Sequence, residues 1–153
     1  MENTGLTPAM EDYLEALLLL EKERGSVRVK ELAKHLGLTN ATVSTCIPKL
    51  NKLGLVESER YGPIRLTPLG REIAGRVLKR EELLVVFFQE VLGLSQEMAK
   101  REACLVEHSL SGETLLRLEA FLEFLRDNSP VLKKWMKSRR ARFSPQDGRA
   151  KHA

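Results

Sequence analysis

The chain has 153 residues, of which 42% are hydrophobic and 30% charged, with a formal net charge of +4. That length suits one ordinary domain or two small ones. No apolar run is long enough to span a membrane, no charged-then-apolar leader precedes a small-residue cleavage site, and two cysteines, Cys46 and Cys104, make no disulfide framework. The expectation is a cytoplasmic protein with no membrane association.

The charge is unevenly placed. Residues 133–153 hold eight Lys/Arg against one Asp, and residues 28–65 hold seven against three Glu. Residues 1–27 are acidic instead, with two Lys/Arg against six Asp/Glu. A basic segment in 28–65 suits contact with phosphates.

In chain order, Thr7-Pro8 opens a first helix, proline being tolerated where its missing N–H costs nothing. Met10, Tyr13, Leu14, Leu17, Leu18 and Glu21 keep helical spacing to about Arg24, and Gly25-Ser26 closes it. Asp12 and Glu15, three residues apart, share one face beside this stripe. The spacing then predicts a short helix over Val29–Leu36, stopped by Gly37, and a second from Thr39 or Asn40 to about Leu53 that buries Val43, Ile47, Leu50 and Leu53. Two such helices joined by a glycine turn suggest a helix-turn-helix. Pro48 predicts a bend one turn before the second helix ends. Leu55–Glu59 and Ile64–Thr67 alternate apolar and polar residues around the turn residues Arg60-Tyr61-Gly62-Pro63, which reads as a β-hairpin wing.

The first helix should back this winged helix-turn-helix. Thr39, Asn40, Ala41, Thr42 and Thr45 at the start of the second helix are placed to meet base edges or thymine methyls. Lys49, Lys52, Arg60 and Arg65 are placed to meet phosphates. The plain alternative for each of these four cations is solvated surface charge.

A helix over Arg71–Leu92 follows. Its first half is charged, whereas Leu83–Phe88 is apolar on every side and needs partners on every side. Ser95 caps a helix over Gln96–Leu110. Ser111-Gly112-Glu113 starts another, in which Leu115, Leu118, Leu122 and Leu125 form a stripe that Phe121 and Phe124 broaden. Asn128-Ser129-Pro130 breaks it, and Val131–Arg142 forms a last short helix. Residues 143–153 carry too little apolar surface to order. The expected fold is mainly α: an N-terminal winged helix-turn-helix over 1–75, an all-helical dimerisation domain over 76–142 to which the helix from Arg71 acts as linker, and a disordered basic tail over 143–153. The apolar surface on 83–88 and 115–125 exceeds what so small a domain buries alone. A symmetric homodimer solves this and presents two reading helices to a palindromic site on double-stranded DNA.

On helix 96–110, Cys104, Glu107 and His108 stand at i, i+3 and i+4. At about 100° per residue they fall within an arc of about 100°, so thiolate, carboxylate and imidazole could converge on one ion. Taken alone, a Glu-His pair on a helix is commonly solvated and a lone cysteine is commonly core. Asp12 and Glu15, with Glu81 or Glu82, add acids that lack matching bases.

These motifs in their order, Thr7–Glu15, the winged helix ending Leu66–Gly70, Arg80–Leu84, and Cys104-x-x-Glu107-His108-x-Leu110-Ser111, resemble the diphtheria toxin repressor family. Over about residues 7–140 the chain is similar to its two-domain members, the manganese transport regulators. The resemblance implies a metal-dependent transcriptional repressor of iron or manganese uptake, with Asp12, Glu15, Glu81, Cys104, Glu107 and His108 as metal ligands. Glu81 stands where the family usually has histidine. Cys104 matches the iron-type repressors, whereas Asp12 matches the manganese type. Val85 and Lys100 occupy positions where the iron-type members' ancillary site would have ligands. Thiolate favours Fe²⁺, Co²⁺ or Zn²⁺ and carboxylates suit Mn²⁺, so Fe²⁺ or Mn²⁺ is expected, with Co²⁺ or Zn²⁺ able to bind in vitro.

The competing readings are a winged-helix transcription factor controlled by a small ligand or by thiol redox, and an enzyme using Cys104 and His108. Nothing in the sequence supplies an oxyanion hole or a Gly-rich substrate loop, so no enzymatic activity is expected.

Overall fold

The computed structural model describes residues 5–60 and 62–143. It divides into two compact units, the first ending at Lys79 and the second beginning at Arg80.

The first unit is built around α1, Pro8–Arg24. Thr7 caps it, its hydroxyl accepting from the Met10 N–H at 3.3 Å. Tyr13, Leu14, Ala16, Leu17, Leu18 and Leu20 are all buried, so this helix is enclosed on most of its circumference. Packed on it are α2, Val29–Leu36, and α3, Asn40–Lys52, which contribute Leu32, Ala33, Val43, Ile47 and Leu50 to one shared core. Gly37 turns the chain between them at φ 66°, a left-handed conformation that costs glycine nothing. The Leu38 N–H then returns to the Ala33 carbonyl at 2.9 Å.

The helix α3 continues a full turn beyond Pro48 to Lys52. Ser44 and Pro48 both line an open groove. The carbonyl that proline leaves without a helical donor is that of Ser44, an exposed residue. Leu53, expected in the core, is half exposed, because α3 has ended before it.

The wing is β1, Val56–Ser58, paired antiparallel with β2, Ile64–Leu66, with Glu57 opposite Arg65. Both strands are shorter than their alternation suggested. The Gly62 N–H closes the hairpin on the Glu59 carbonyl at 2.9 Å, while Tyr61 lies outside the described residues. A third short segment joins the sheet: the Ile64 N–H donates to the Val27 carbonyl at 2.7 Å, which ties the entry to α2 onto the wing.

Helix α4, Pro68–Val86, opens on Thr67. That hydroxyl accepts from the Gly70 N–H at 3.0 Å and donates to the Gly54 carbonyl at 2.7 Å. The expected single α-helix to Leu92 is not what forms. From Phe87 to Leu92 the backbone widens into a six-residue π-helical segment, ended by Gly93 at φ 78°.

In the second unit, α5, Gln96–Val106, is followed by a 3₁₀ turn, Glu107–Ser109, so the expected regular helix to Leu110 tightens near its end. Ser95 caps α5 as expected, its hydroxyl accepting from the Met98 N–H at 3.2 Å. Helix α6 is Gly112–Asp127, capped by Ser111. Helix α7 is Ser129–Arg142 and begins two residues before its expected start, with Pro130 in its first turn.

Two clusters serve the apolar Leu83–Phe88 run. Leu84 packs with Ala103 and Leu115, whereas Val86 and Phe87 pack toward Val91, Leu122 and Leu125. Phe121 and Phe124 do not broaden the buried stripe of α6. They are 44% and 54% exposed and, with Leu116, lie away from the buried Leu115, Leu122 and Leu125. Phe143 is the last described residue of the expected disordered tail; 144–153 lie outside the described residues.

Candidate metal centre and nucleic-acid interface

The reading head is organised by hydrogen bonds that also limit it. Thr39 caps α3, its Oγ1 accepting from the Thr42 N–H at 3.1 Å and lying 2.8 Å from the Thr42 hydroxyl. The Thr45 hydroxyl donates to the Ala41 carbonyl at 2.9 Å. Each hydroxyl keeps remaining capacity for a base or phosphate. Thr39, Asn40, Ala41, Thr42 and Thr45 are all exposed, as are Lys49, Lys52, Arg60 and Arg65. Their exposure leaves this face of the first unit available to an external ligand.

The wing is positioned against α3 by Asn51, whose Nδ2 lies 3.4 Å from the Ser58 carbonyl and 3.3 Å from its hydroxyl. Between α2, α3 and the wing runs an open groove of about 1050 Å³, lined among others by Arg28, Lys30, Asn40, Lys52 and Arg60 against Glu59. Arg28 and Lys30 were not among the expected contacts. Their signal was available, since both cations belong to the basic segment 28–65 and stand at the very start of α2.

Glu21 also escaped the sequence reading, where it appeared only as a member of an apolar stripe. Its carboxylate accepts from the Leu66 N–H at 2.8 Å and from Arg71 Nη2 at 2.6 Å. The central helix thereby holds both the second wing strand and the first turn of α4.

The expected metal ligands occupy contrasting settings. In the first unit, Glu15 is buried and Asp12 half-buried, one turn apart on α1. In the second, Glu81 is half-buried on α4 and Glu82 is exposed. Glu107 is fully buried and His108 nearly so. The His108 Nε2 stands 3.5 Å from Glu107 Oε1, with the side chains 10% and 1% exposed. Cys104 is exposed, so it does not share the burial of the two residues with which it was expected to form an arc. The physical reason is the change of helix type: Cys104 lies on α5, which ends at Val106, whereas Glu107 and His108 lie in the tighter 3₁₀ turn that follows, so the arc of one regular helix does not carry across. Of the residues expected as ligands in the second unit, Glu107 and His108 stand side by side.

A carboxylate taken fully out of water is costly unless positive charge accompanies it. An anionic oxygen beside an imidazole nitrogen, two donors that borderline divalent ions accept, fits a divalent transition metal. Lys100 is exposed and Val85 half-buried, and a valine side chain has no donor atom to offer an ancillary ion.

A winged helix-turn-helix with a basic groove, followed by a helical unit that buries a Glu-His pair, defines a class: a DNA-binding regulator with a metal-responsive second domain. Comparison with known proteins agrees. Residues 5–64 match the family model described as the iron dependent repressor N-terminal DNA binding domain. Residues 67–135 match the iron dependent repressor metal binding and dimerisation domain. The chain is 39% identical over 123 residues to an uncharacterised HTH-type transcriptional regulator of Methanocaldococcus jannaschii, covering 80% of this chain and 98% of that one. It is 31% identical over 128 residues to the regulator MntR of Lysinibacillus sphaericus, covering 84% and 91%. Among solved structures, a manganese-dependent transcriptional repressor in complex with manganese matches at 32% identity and a TM-score of 0.70, covering 75% of this chain and 53% of that one. The chain thus spans about half the length of that solved repressor.

The chain belongs to the iron-dependent (diphtheria toxin repressor) family and carries both its DNA-binding and its metal-binding and dimerisation domains. It is a metal-responsive, DNA-binding transcriptional repressor of the iron- and manganese-dependent kind. No described helix is long and apolar enough to cross a membrane.

Proposed function

We propose that this protein represses metal-uptake genes by binding a palindromic operator as a homodimer once Fe²⁺ or Mn²⁺ is bound, acting in the cytoplasm where that DNA is, and that it is not an enzyme. The observation that carries the reading is the burial of Glu107 beside His108 within the segment that matches the metal binding and dimerisation domain. Residues 1–75 serve as the DNA-binding domain and 76–142 as the metal-binding and dimerisation domain. Asp12, Glu15, Glu81, Cys104, Glu107 and His108 would hold the ion. The ion supplies positive charge where several carboxylates would otherwise repel one another.

The residues themselves do the rest. Thr39, Asn40, Ala41, Thr42 and Thr45 meet base edges, and Lys49, Lys52, Arg60 and Arg65 meet phosphates. Leu116, Phe121 and Phe124, exposed on α6, supply apolar area for a second copy. Metal raises DNA affinity only to the extent that it binds the DNA-competent arrangement more tightly than the others, and DNA must raise metal affinity by the same factor.

The test is anaerobic calorimetric titration of the metal-free protein with Fe²⁺, Mn²⁺ and Zn²⁺ in turn, repeated on Glu107→Gln. Saturable binding that the variant weakens at least about 100-fold is expected, a loss at the upper end of what even outer-shell changes produce. Absence of saturable binding to all three ions would leave a winged-helix regulator with a different signal, such as a small ligand or thiol oxidation.

A further inference from the structure

The strongest charge feature outside the reading head is α7. Lys133, Lys134, Lys137, Arg140 and Arg142 are all exposed, and Ser129–Arg142 contains no acidic residue. At about 100° per residue, Lys133, Lys137 and Arg140 fall within an arc of about 60° and form a stripe about 10 Å long. Like charges at i, i+4 destabilise a helix, and none of these three makes an ion pair among the described residues. Two exposed arginines on other helices, Arg76 and Arg117, each pair with a glutamate one turn earlier, Glu72 and Glu113. The stripe is also rigidly mounted. Leu132 packs into the core, the Trp135 indole donates to the Val91 carbonyl at 2.6 Å, and the buried Arg139 guanidinium donates to the same oxygen at 2.7 Å. One face of α7 thus anchors the helix and leaves the repelling cations turned outward.

We propose that the Lys133-Lys137-Arg140 stripe of α7 is a second, sequence-independent contact for the DNA phosphate backbone. The inference rests on the repressor reading, because a duplex is the polyanion that such a protein meets whenever it functions. DNA carries about one negative charge per 1.7 Å of axis, so a stripe of this length faces several phosphates at once. Such contacts strengthen binding to every sequence alike and do not select the operator.

The test uses the full-length, Mn²⁺-loaded protein and a labelled mixed-sequence duplex of about 40 base pairs, with affinity measured from about 50 to 200 mM salt, a range over which phosphate contacts are sharply screened. The variant is Lys133→Gln/Lys137→Gln/Arg140→Gln. The slope of log affinity against log salt should become shallower by about 0.9 for each phosphate that is no longer neutralised, or about 2–3 in all. The charge-preserving variant Lys133→Arg/Lys137→Arg/Arg140→Lys should keep the wild-type slope. Lys137→Gln alone, the mildest change, should reduce the slope by about 0.9 and serves if the triple variant does not fold. An unchanged slope in the Gln variants would overturn the proposal. So would an unchanged slope accompanied by lost co-sedimentation with vesicles of anionic lipid, which would assign the stripe to a membrane surface. A wild-type protein that fails to bind the duplex when loaded with metal would overturn the repressor reading along with it.

Discussion

Arg139 on α7 donates from Nη1 to the carbonyl oxygen of Val91 at 2.7 Å, across 48 residues of sequence. The same nitrogen lies 3.2 Å from the Glu90 carbonyl, and Trp135 also ends on Val91. These carbonyls belong to the π-helical segment, whose widened turns and abrupt end at Gly93 leave acceptors that a plain helix end would give to water. A buried cation fills that need.

Arg139→Met, which keeps the aliphatic bulk and removes the donors, should therefore destabilise the protein by about 2–3 kcal/mol, the range for losing buried hydrogen bonds from a charged donor. Gly93→Ala should act at the same place. Its Cβ would overlap the Arg139 guanidinium, and its φ of 78° is one that alanine resists. Urea unfolding of both variants and of the pair checks this. If the two act through one contact, the double variant should cost less than the sum.

Glu21→Ala removes the acceptor for both the Leu66 N–H and Arg71. The Leu66 amide loses its carboxylate partner, and a loss of about 2–3 kcal/mol is expected. Because the wing is held through this carboxylate, hydrogen exchange at Leu66 should accelerate more than at Val43 or Leu50 in the α3 core. Uniform acceleration across the unit would argue against a local role.

Gly70 sits buried where α4 passes the strand entry, and a Cβ on it would overlap the carbonyl oxygen of Leu55. That atom is backbone and cannot swing aside. Gly70→Ala should cost about 3 kcal/mol, the upper end of ordinary overpacking. Gly75, where a Cβ meets nothing within 4 Å, is the control. Gly75→Ala should be neutral or stabilising by up to about 1 kcal/mol, as expected for a helix interior. Thermal melting of the two variants separates them.

The two thiols should differ in reactivity. Cys104 is exposed, whereas Cys46 is half-buried in α3, where burial pushes its pKa up and nearby Lys49 offsets only part of the rise. At mildly alkaline pH, iodoacetamide should alkylate Cys104 well before Cys46, read by peptide mass mapping. Cys46 holds its proton more tightly when folded. Its contribution to stability is therefore present below the ordinary thiol pKa and fades as pH rises through the elevated one. If Cys104 ligates the metal, Mn²⁺ or Fe²⁺ under anaerobic conditions should slow its alkylation at least about tenfold, since a coordinated thiolate is withdrawn from attack. An unchanged rate in saturating metal would remove Cys104 from the ligand set.

What the sequence determined by itself was the order of elements and most of their starts, because those signals are local. Thr7, Thr39, Ser95 and Ser111 each cap the helix that follows, since a hydroxyl needs only the amides three residues on, and Gly37 turns where only a left-handed residue fits. Exposed Thr and Lys positions on α3 were legible for the same reason, as one helix with a clear buried stripe assigns its own outer face. The tertiary structure alone decided the features that depend on distant partners. Glu21 acquires its role only when Leu66 and Arg71 arrive at its carboxylate, and in the π-helical turn at Phe87–Leu92 the Glu90 and Val91 carbonyls are met from α7, by Arg139 and, at Val91, by Trp135 as well. Phe121 and Phe124 look like core by spacing yet face outward, because Leu115, Leu122 and Leu125 had already filled the buried side of α6. At the candidate metal centre, the Glu-His pair was legible as spacing. The burial of Glu107 and the exposure of Cys104 one turn before it were not, because the 3₁₀ turn after Val106 breaks the regular helix on which that spacing relied.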